Sequence, residues 1–129
     1  MQNPLRVAAR VLIGVPYVMF GLTTVRTPGK RVEQAASTLA KLRKTLPLPE
    51  NDELLVRANG AAQIAGGALL VTGTLQRPAA LLLAGSMVPT TFAGHAFWNI
   101  EDPVARAAQR TQFLKNAVMI GGLLFAVVD

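Results

Sequence analysis

The chain has 129 residues, half of them apolar, with thirteen Lys and Arg against seven Asp and Glu, a net charge of +6 and no cysteine. That length holds one domain, and the missing thiols exclude disulfides, thiolate metal sites and a persulfide carried on the protein itself. The positive charge does not point to nucleic acid: the cations stand beside apolar stretches, where cytoplasmic retention and attraction to anionic lipid account for them.

The first apolar stretch, Leu5 to Val25, carries Arg6 and Arg10 near its start. It has the look of a secretory signal, yet no small-residue cleavage site follows; Arg26-Thr-Pro-Gly-Lys30 does, so it reads as a retained first span. Thr27-Pro28 then reads as an N-cap followed by proline at the first helical position. Beyond it Val32, Ala35, Ala36, Leu39, Leu42 and Leu46 fall on one helical face, with Lys41, Arg43 and Lys44 directed away. This is the pattern of an amphipathic helix at a membrane interface, ended by Pro47 and Pro49. An equally good reading is a cover packed over one mouth of a bundle.

Asn51-Asp52-Glu53 supplies a capping side chain and two acids for the positive end of the next helix, whose apolar part runs from Ala58 to Leu75. Within it Ala58, Ala62 and Gly66 make a ridge of small residues suited to close packing. After a short Gln76–Arg77 turn, Pro78 to Trp98 gives twenty-one residues without one Asp, Glu, Lys or Arg, long enough to cross the hydrocarbon of a bilayer. The last helix starts at Asp102-Pro103, with Arg106 and Arg110 on a surface-lying first portion, and Phe113 to Val128 is its apolar part.

These elements predict an all-α fold: a four-helix transmembrane bundle with an interfacial amphipathic helix between spans 1 and 2. With four spans, Arg26–Arg57 and Asn99–Gln112 lie on one side of the membrane. Counting Lys115, that side holds Arg26, Lys30, Arg31, Lys41, Arg43, Lys44, Arg57, Arg106, Arg110 and Lys115, against Arg6, Arg10 and Arg77 on the other. Ten against three places both termini outside the cytoplasm of a multi-pass cell-membrane protein.

Polar residues inside spans mark candidate function. Asn59 and Gln63, four apart, share a face of the second span. In the third, Ser86, Thr90 and Gly94 line one face and Thr91 and His95 the neighbouring one, while Pro89 removes the helical donor of the Gly85 carbonyl. His95, Gln63, Asn59, Trp98, Asn116, Arg57 and Lys115 all fall near the cytoplasmic end, with Gln63, Asn59 and Asn116 the expected hydrogen-bond partners of His95. A pocket there would be polar at its mouth and apolar below, suited to a quinone or lipid. The bland alternative is interfacial anchoring by His95 and Trp98. With one histidine and no acid inside the spans, the chain holds no bis-histidine haem site, no zinc set, no other metal site, no catalytic triad and no carboxylate relay, so catalysis by this chain alone is not expected.

Three segments together resemble the DoxX family of small four-span membrane proteins over nearly the whole chain. They are Arg10-Val-Leu-Ile-Gly14 leading to Phe20-Gly21; Gln63-Ile-Ala-Gly66-Gly67 with its apolar run to Gly73 and Arg77; and Gly94-His95-Ala-Phe97-Trp98 followed by Phe113-Leu-Lys115-Asn116 and Gly121-Gly122. Many relatives have Glu where this chain has Gln63, an amide that keeps the hydrogen-bonding role and lacks the proton. The resemblance implies a membrane component linked to redox physiology, the family being named for a thiosulfate:quinone oxidoreductase subunit, with some members associated with oxidative-stress proteins. It brings no catalytic residues. The expected function is an accessory or anchoring subunit of a redox-related membrane assembly, in contact with the bilayer and with membrane or cytoplasmic redox proteins, and able to associate with its own copies. The alternative is a quinone- or lipid-binding protein of a quinone-linked oxidoreductase.

Overall fold

A computed structural model describes residues 3–129. The described residues form five α-helices, α1 (Pro4–Arg26), α2 (Gly29–Arg43), α3 (Asp52–Thr72), α4 (Gln76–Gly94) and α5 (Pro103–Val128), with a 3₁₀ turn at Phe97–Asn99. Among them α1, α3, α4 and α5 are long and apolar enough to cross a membrane. The expected four-span, all-helical architecture is the observed one.

Two starts are set as the sequence predicts. Asn51 Oδ1 accepts from the backbone N–H of Leu54 at 3.1 Å, and Asp102 Oδ2 accepts from Ala105 at 3.0 Å ahead of Pro103. Three boundaries differ from expectation. Thr27 does not cap α2; its hydroxyl donates back to the Thr23 carbonyl at 3.0 Å, so it closes α1, and α2 begins at Gly29. The α3 helix stops at Thr72, where Gly73 turns left-handed (φ 75°) and closes the carbonyls of Leu69 and Leu70. The turn into α4 is therefore Gly73–Leu75. The third span breaks at Gly94, leaving His95 as the C-cap and Trp98 in the 3₁₀ turn.

Packing runs α1 on α3, α3 on α4 and α4 on α5. Tyr17, Leu70, Ala80, Leu83, Met87 and Leu123 meet in the centre, so α4 supplies most of the core. The α1/α3 contact is a crossing of backbones. A Cβ on Gly14 would lie 2.6 Å from the Gly67 carbonyl oxygen, and one on Gly67 would lie 2.6 Å from that of Gly14. One heptad along, a Cβ on Gly21 would collide with the Gly60 carbonyl oxygen. Small residues allow this approach, which recovers dispersion where no hydrophobic effect drives helices together. The ridge expected at Ala58, Ala62 and Gly66 is not this crossing: Ala58 is exposed, and Gly66 packs instead on Leu83 of α4.

At the end holding the α3–α4 turn, Arg6 pairs with Asp129 at 3.0 Å, and Gln76 donates to the Ala126 carbonyl at 3.3 Å. At the opposite end α2 packs on α4 and α3 through half-buried Val32, Ala35, Leu39 and Leu42, whereas Ala36 and Leu46 are exposed. Arg43 is not directed outward as the sequence suggests. Its guanidinium donates to the Pro49 carbonyl at 2.6 and 2.9 Å and pairs with Asp52 at 2.5 Å, tying the end of α2 to the start of α3. Outward faces are apolar: Leu12 of α1 and Val118 and Phe125 of α5 are each at least 74% exposed, a surface that lipid covers and water would not tolerate at this extent.

Candidate functional site

Because α3 and α4 are antiparallel neighbours, the amide face of one meets the hydroxyl face of the other. Gln63 Nε2 donates to Ser86 Oγ at 3.2 Å, Ser86 Oγ donates to Asn59 Oδ1 at 2.7 Å, and Asn59 Nδ2 donates to Thr90 Oγ1 at 2.9 Å. The Thr90 hydroxyl ends the chain on the Ser86 carbonyl at 2.9 Å. Every bond runs in one direction and no member is ionisable. Gln63 and Ser86 are buried, and leaving such groups unpaired would cost each about 1–3 kcal/mol.

A second polar contact joins α4 to α5. Asn116 Nδ2 donates to Thr91 Oγ1 at 3.2 Å, and that hydroxyl donates to the Met87 carbonyl at 2.6 Å. Farther along the same seam His95 Nδ1 lies 2.7 Å from Gln109 Oε1. An amide oxygen only accepts, so in this contact Nδ1 is the donor. His95 thus reaches the fourth span as expected, but its partner is Gln109 rather than Gln63, Asn59 or Asn116. The reason is the helix break: as C-cap, His95 sits beyond the level of Thr91 and meets the earlier turns of α5.

Trp98 belongs to a third group. Its ring lies 5.3 Å from Phe97, 5.7 Å from Phe113 and 5.9 Å from Phe92, in tilted and edge-on arrangements that favour aromatic contact. Arg57 pairs one helical turn back with Glu53 at 2.9 Å, half exposed, where such pairs contribute little. Lys115 is exposed on α5. The seven candidate residues therefore fall into an α3/α4 ladder, an α4/α5 seam, an aromatic cluster and two outward cations.

Sequence reasoning had Ser86, Thr90 and Thr91 on the correct faces but missed Gln109. Its signal was available, since Gln109 stands between Arg106 and Arg110 on one helix, but its facing toward α4 depends on where α4 ends.

No curated protein and no solved structure matches the chain. The profile of the DoxX family matches residues 5–96, from the first turn of α1 to just past His95, leaving Trp98 and α5 outside the matched stretch. With more than two thirds of the sequence covered, and with four membrane-spanning helices in the structure, the chain belongs to the DoxX family.

Proposed function

We propose that this chain is an accessory subunit of the cell membrane that anchors partner proteins of a redox or oxidative-stress-related assembly. One observation carries the reading. Lys30, Arg31, Lys41 and Lys44 of the α2 segment and Arg106 and Arg110 of α5 are all exposed, and the antiparallel order brings them to one end of the bundle. In this reading α2 lies along the cytoplasmic interface and presents its cations to a partner's acidic surface, and the redox setting follows from the family resemblance. Asn59, Gln63, Ser86 and Thr90, and Asn116 with Thr91, are hydrogen-bonded to one another within the spans, which supports a scaffold more than a reaction centre.

The test leaves Arg43 intact, since it holds the α2–α3 turn. Changing Lys30, Arg31, Lys41 and Lys44 together to Gln should preserve insertion and thermal stability while lowering recovery of cytoplasmic partners in mild detergent by roughly tenfold or more, because each cation contributes up to about 1 kcal/mol toward an anionic surface. An unchanged set of co-purifying proteins would assign these cations to structure alone.

The same reading sets the topology, with both termini and the Gly73–Leu75 turn outside the cytoplasm. In a chain without cysteine, Thr74→Cys should react with an impermeant thiol reagent in intact cells, and Thr45→Cys only after lysis. The reverse pattern would invert the orientation and remove the basic end from the cytoplasm.

A further inference from the structure

Helix α2 is the most weakly held element of the molecule. None of its residues is buried, and Val32, Ala35, Leu39 and Leu42 are only half covered where it packs on α3 and α4. Ala36, on the same apolar side, and Leu46, just past the helix end, stay exposed. The apolar face is used only in part by the bundle.

Its two ends suit movement as one piece. Pro28 is buried, and the next residue, Gly29, is exposed at φ 30°, where a Cβ would meet nothing within 4 Å. A backbone that glycine adopts most readily, in open space directly after a fixed point, makes a pivot. At the far end the eight residues from Lys44 to Asn51 join α2 to α3 and can span about 27 Å when extended. Arg43 bridges that joint through the Pro49 carbonyl and Asp52.

From these features we propose that α2 is a hinged strap with two resting places, one against α3 and α4 as in this structure and one along an anionic bilayer surface, with Arg43 as the latch of the first. A shift between two states requires that something bind one of them better. Lys30, Arg31, Lys41 and Lys44 are exposed against one exposed acid of α2, Glu33, and near an anionic surface each cation shifts the balance by about fivefold at low salt. The interface also covers the apolar face, Ala36 included, which the bundle leaves open. A zwitterionic surface supplies only this second part. Lifting α2 uncovers the end of the α3/α4 seam near which the Asn59–Thr90 bond closes the ladder. The inference does not rest on the anchoring role, since no partner protein takes part.

The test uses the full chain, free of native cysteine, in nanodiscs of phosphatidylcholine alone or of equal parts phosphatidylcholine and phosphatidylglycerol. Spin labels at Ala40→Cys, about 16 Å along α2 from the pivot, and at Asn99→Cys, both exposed, report how far α2 stands from the end of α4. The distance should lengthen by about 5 Å or more in the anionic discs and return in roughly 0.5 M salt, which screens the cations. Arg43→Gln should give the longer distance in both lipids. Changing Lys30, Arg31, Lys41 and Lys44 together to Gln should keep the shorter one in both. A fluorophore at Ala36→Cys should be quenched by doxyl-labelled lipid about twofold more in the anionic discs. One distance for the labelled chain in both lipids overturns the proposal, whatever Arg43→Gln shows. Lengthening without quenching also overturns it, because α2 would then be released into water rather than seated on lipid.

Discussion

Gly21→Ala should unfold this bundle more readily than the same methyl added at the glycines of α5. The new Cβ would meet the backbone carbonyl of Gly60 and lie 2.7 Å from Ile64, and a carbonyl inside a helix cannot swing aside as a side-chain tip can. Relief requires the helices to move apart, which forfeits the contacts along the whole α1/α3 seam. Overpacking in well-packed interiors costs about 1–3 kcal/mol and occasionally more, and here the upper part of that range is expected. Gly14→Ala and Gly67→Ala should behave alike, each meeting the partner glycine's carbonyl at 2.6 Å. Gly121→Ala and Gly122→Ala are the controls, since a Cβ at either meets nothing within 4 Å and alanine is the better helix former by about 1 kcal/mol. Thermal unfolding in detergent should separate the two sets, with the α1 and α3 variants lowered and the α5 variants unchanged or raised. Equal midpoints across all five would show that α1 and α3 do not cross at their glycines.

At Tyr17 the expected effects run in opposite directions for two substitutions. The side chain is fully buried against Leu70, Leu83, Met87 and Leu123, and its hydroxyl meets no hydrogen-bond partner among the described residues. A buried hydroxyl without a partner costs about 1–3 kcal/mol, so Tyr17→Phe, which keeps the ring and removes the oxygen, should be neutral or stabilising. Tyr17→Ala empties the centre of the bundle and should cost about 3–5 kcal/mol, the usual penalty for deleting a buried aromatic ring. Both are read from the midpoint of unfolding in the same detergent. Loss of stability in Tyr17→Phe comparable to that in Tyr17→Ala would mean that the hydroxyl has a partner in solution, for instance a buried water.

Much of the architecture was legible in the residues alone. Four apolar stretches of bilayer length became α1, α3, α4 and α5, and the caps at Asn51 and Asp102 formed where their side chains predicted them. These are local properties: hydropathy acts residue by residue, and a capping oxygen reaches only two or three positions ahead. The same locality placed Asn59 with Gln63, and Ser86 with Thr90, on shared faces, since spacing along a helix fixes which side chains lie together.

What the tertiary structure decided is which faces meet. In lipid an apolar residue is as well placed outward as inward, so hydropathy along a span does not point to the bundle's interior, and α5 with a single buried residue reads like α4 with seven. The choice of Gly14, Gly21, Gly60 and Gly67 as the crossing, over the ridge at Ala58, Ala62 and Gly66, depends on shape between two antiparallel helices that are not neighbours in the chain. The pairing of His95 with Gln109 depends on α4 breaking at Gly94, and Arg43 turns inward because the Pro49 carbonyl and Asp52 come within its reach. Each of these contacts is made between segments whose relative position no local preference encodes, and the ladder from Gln63 to Thr90 exists only once α3 and α4 stand side by side.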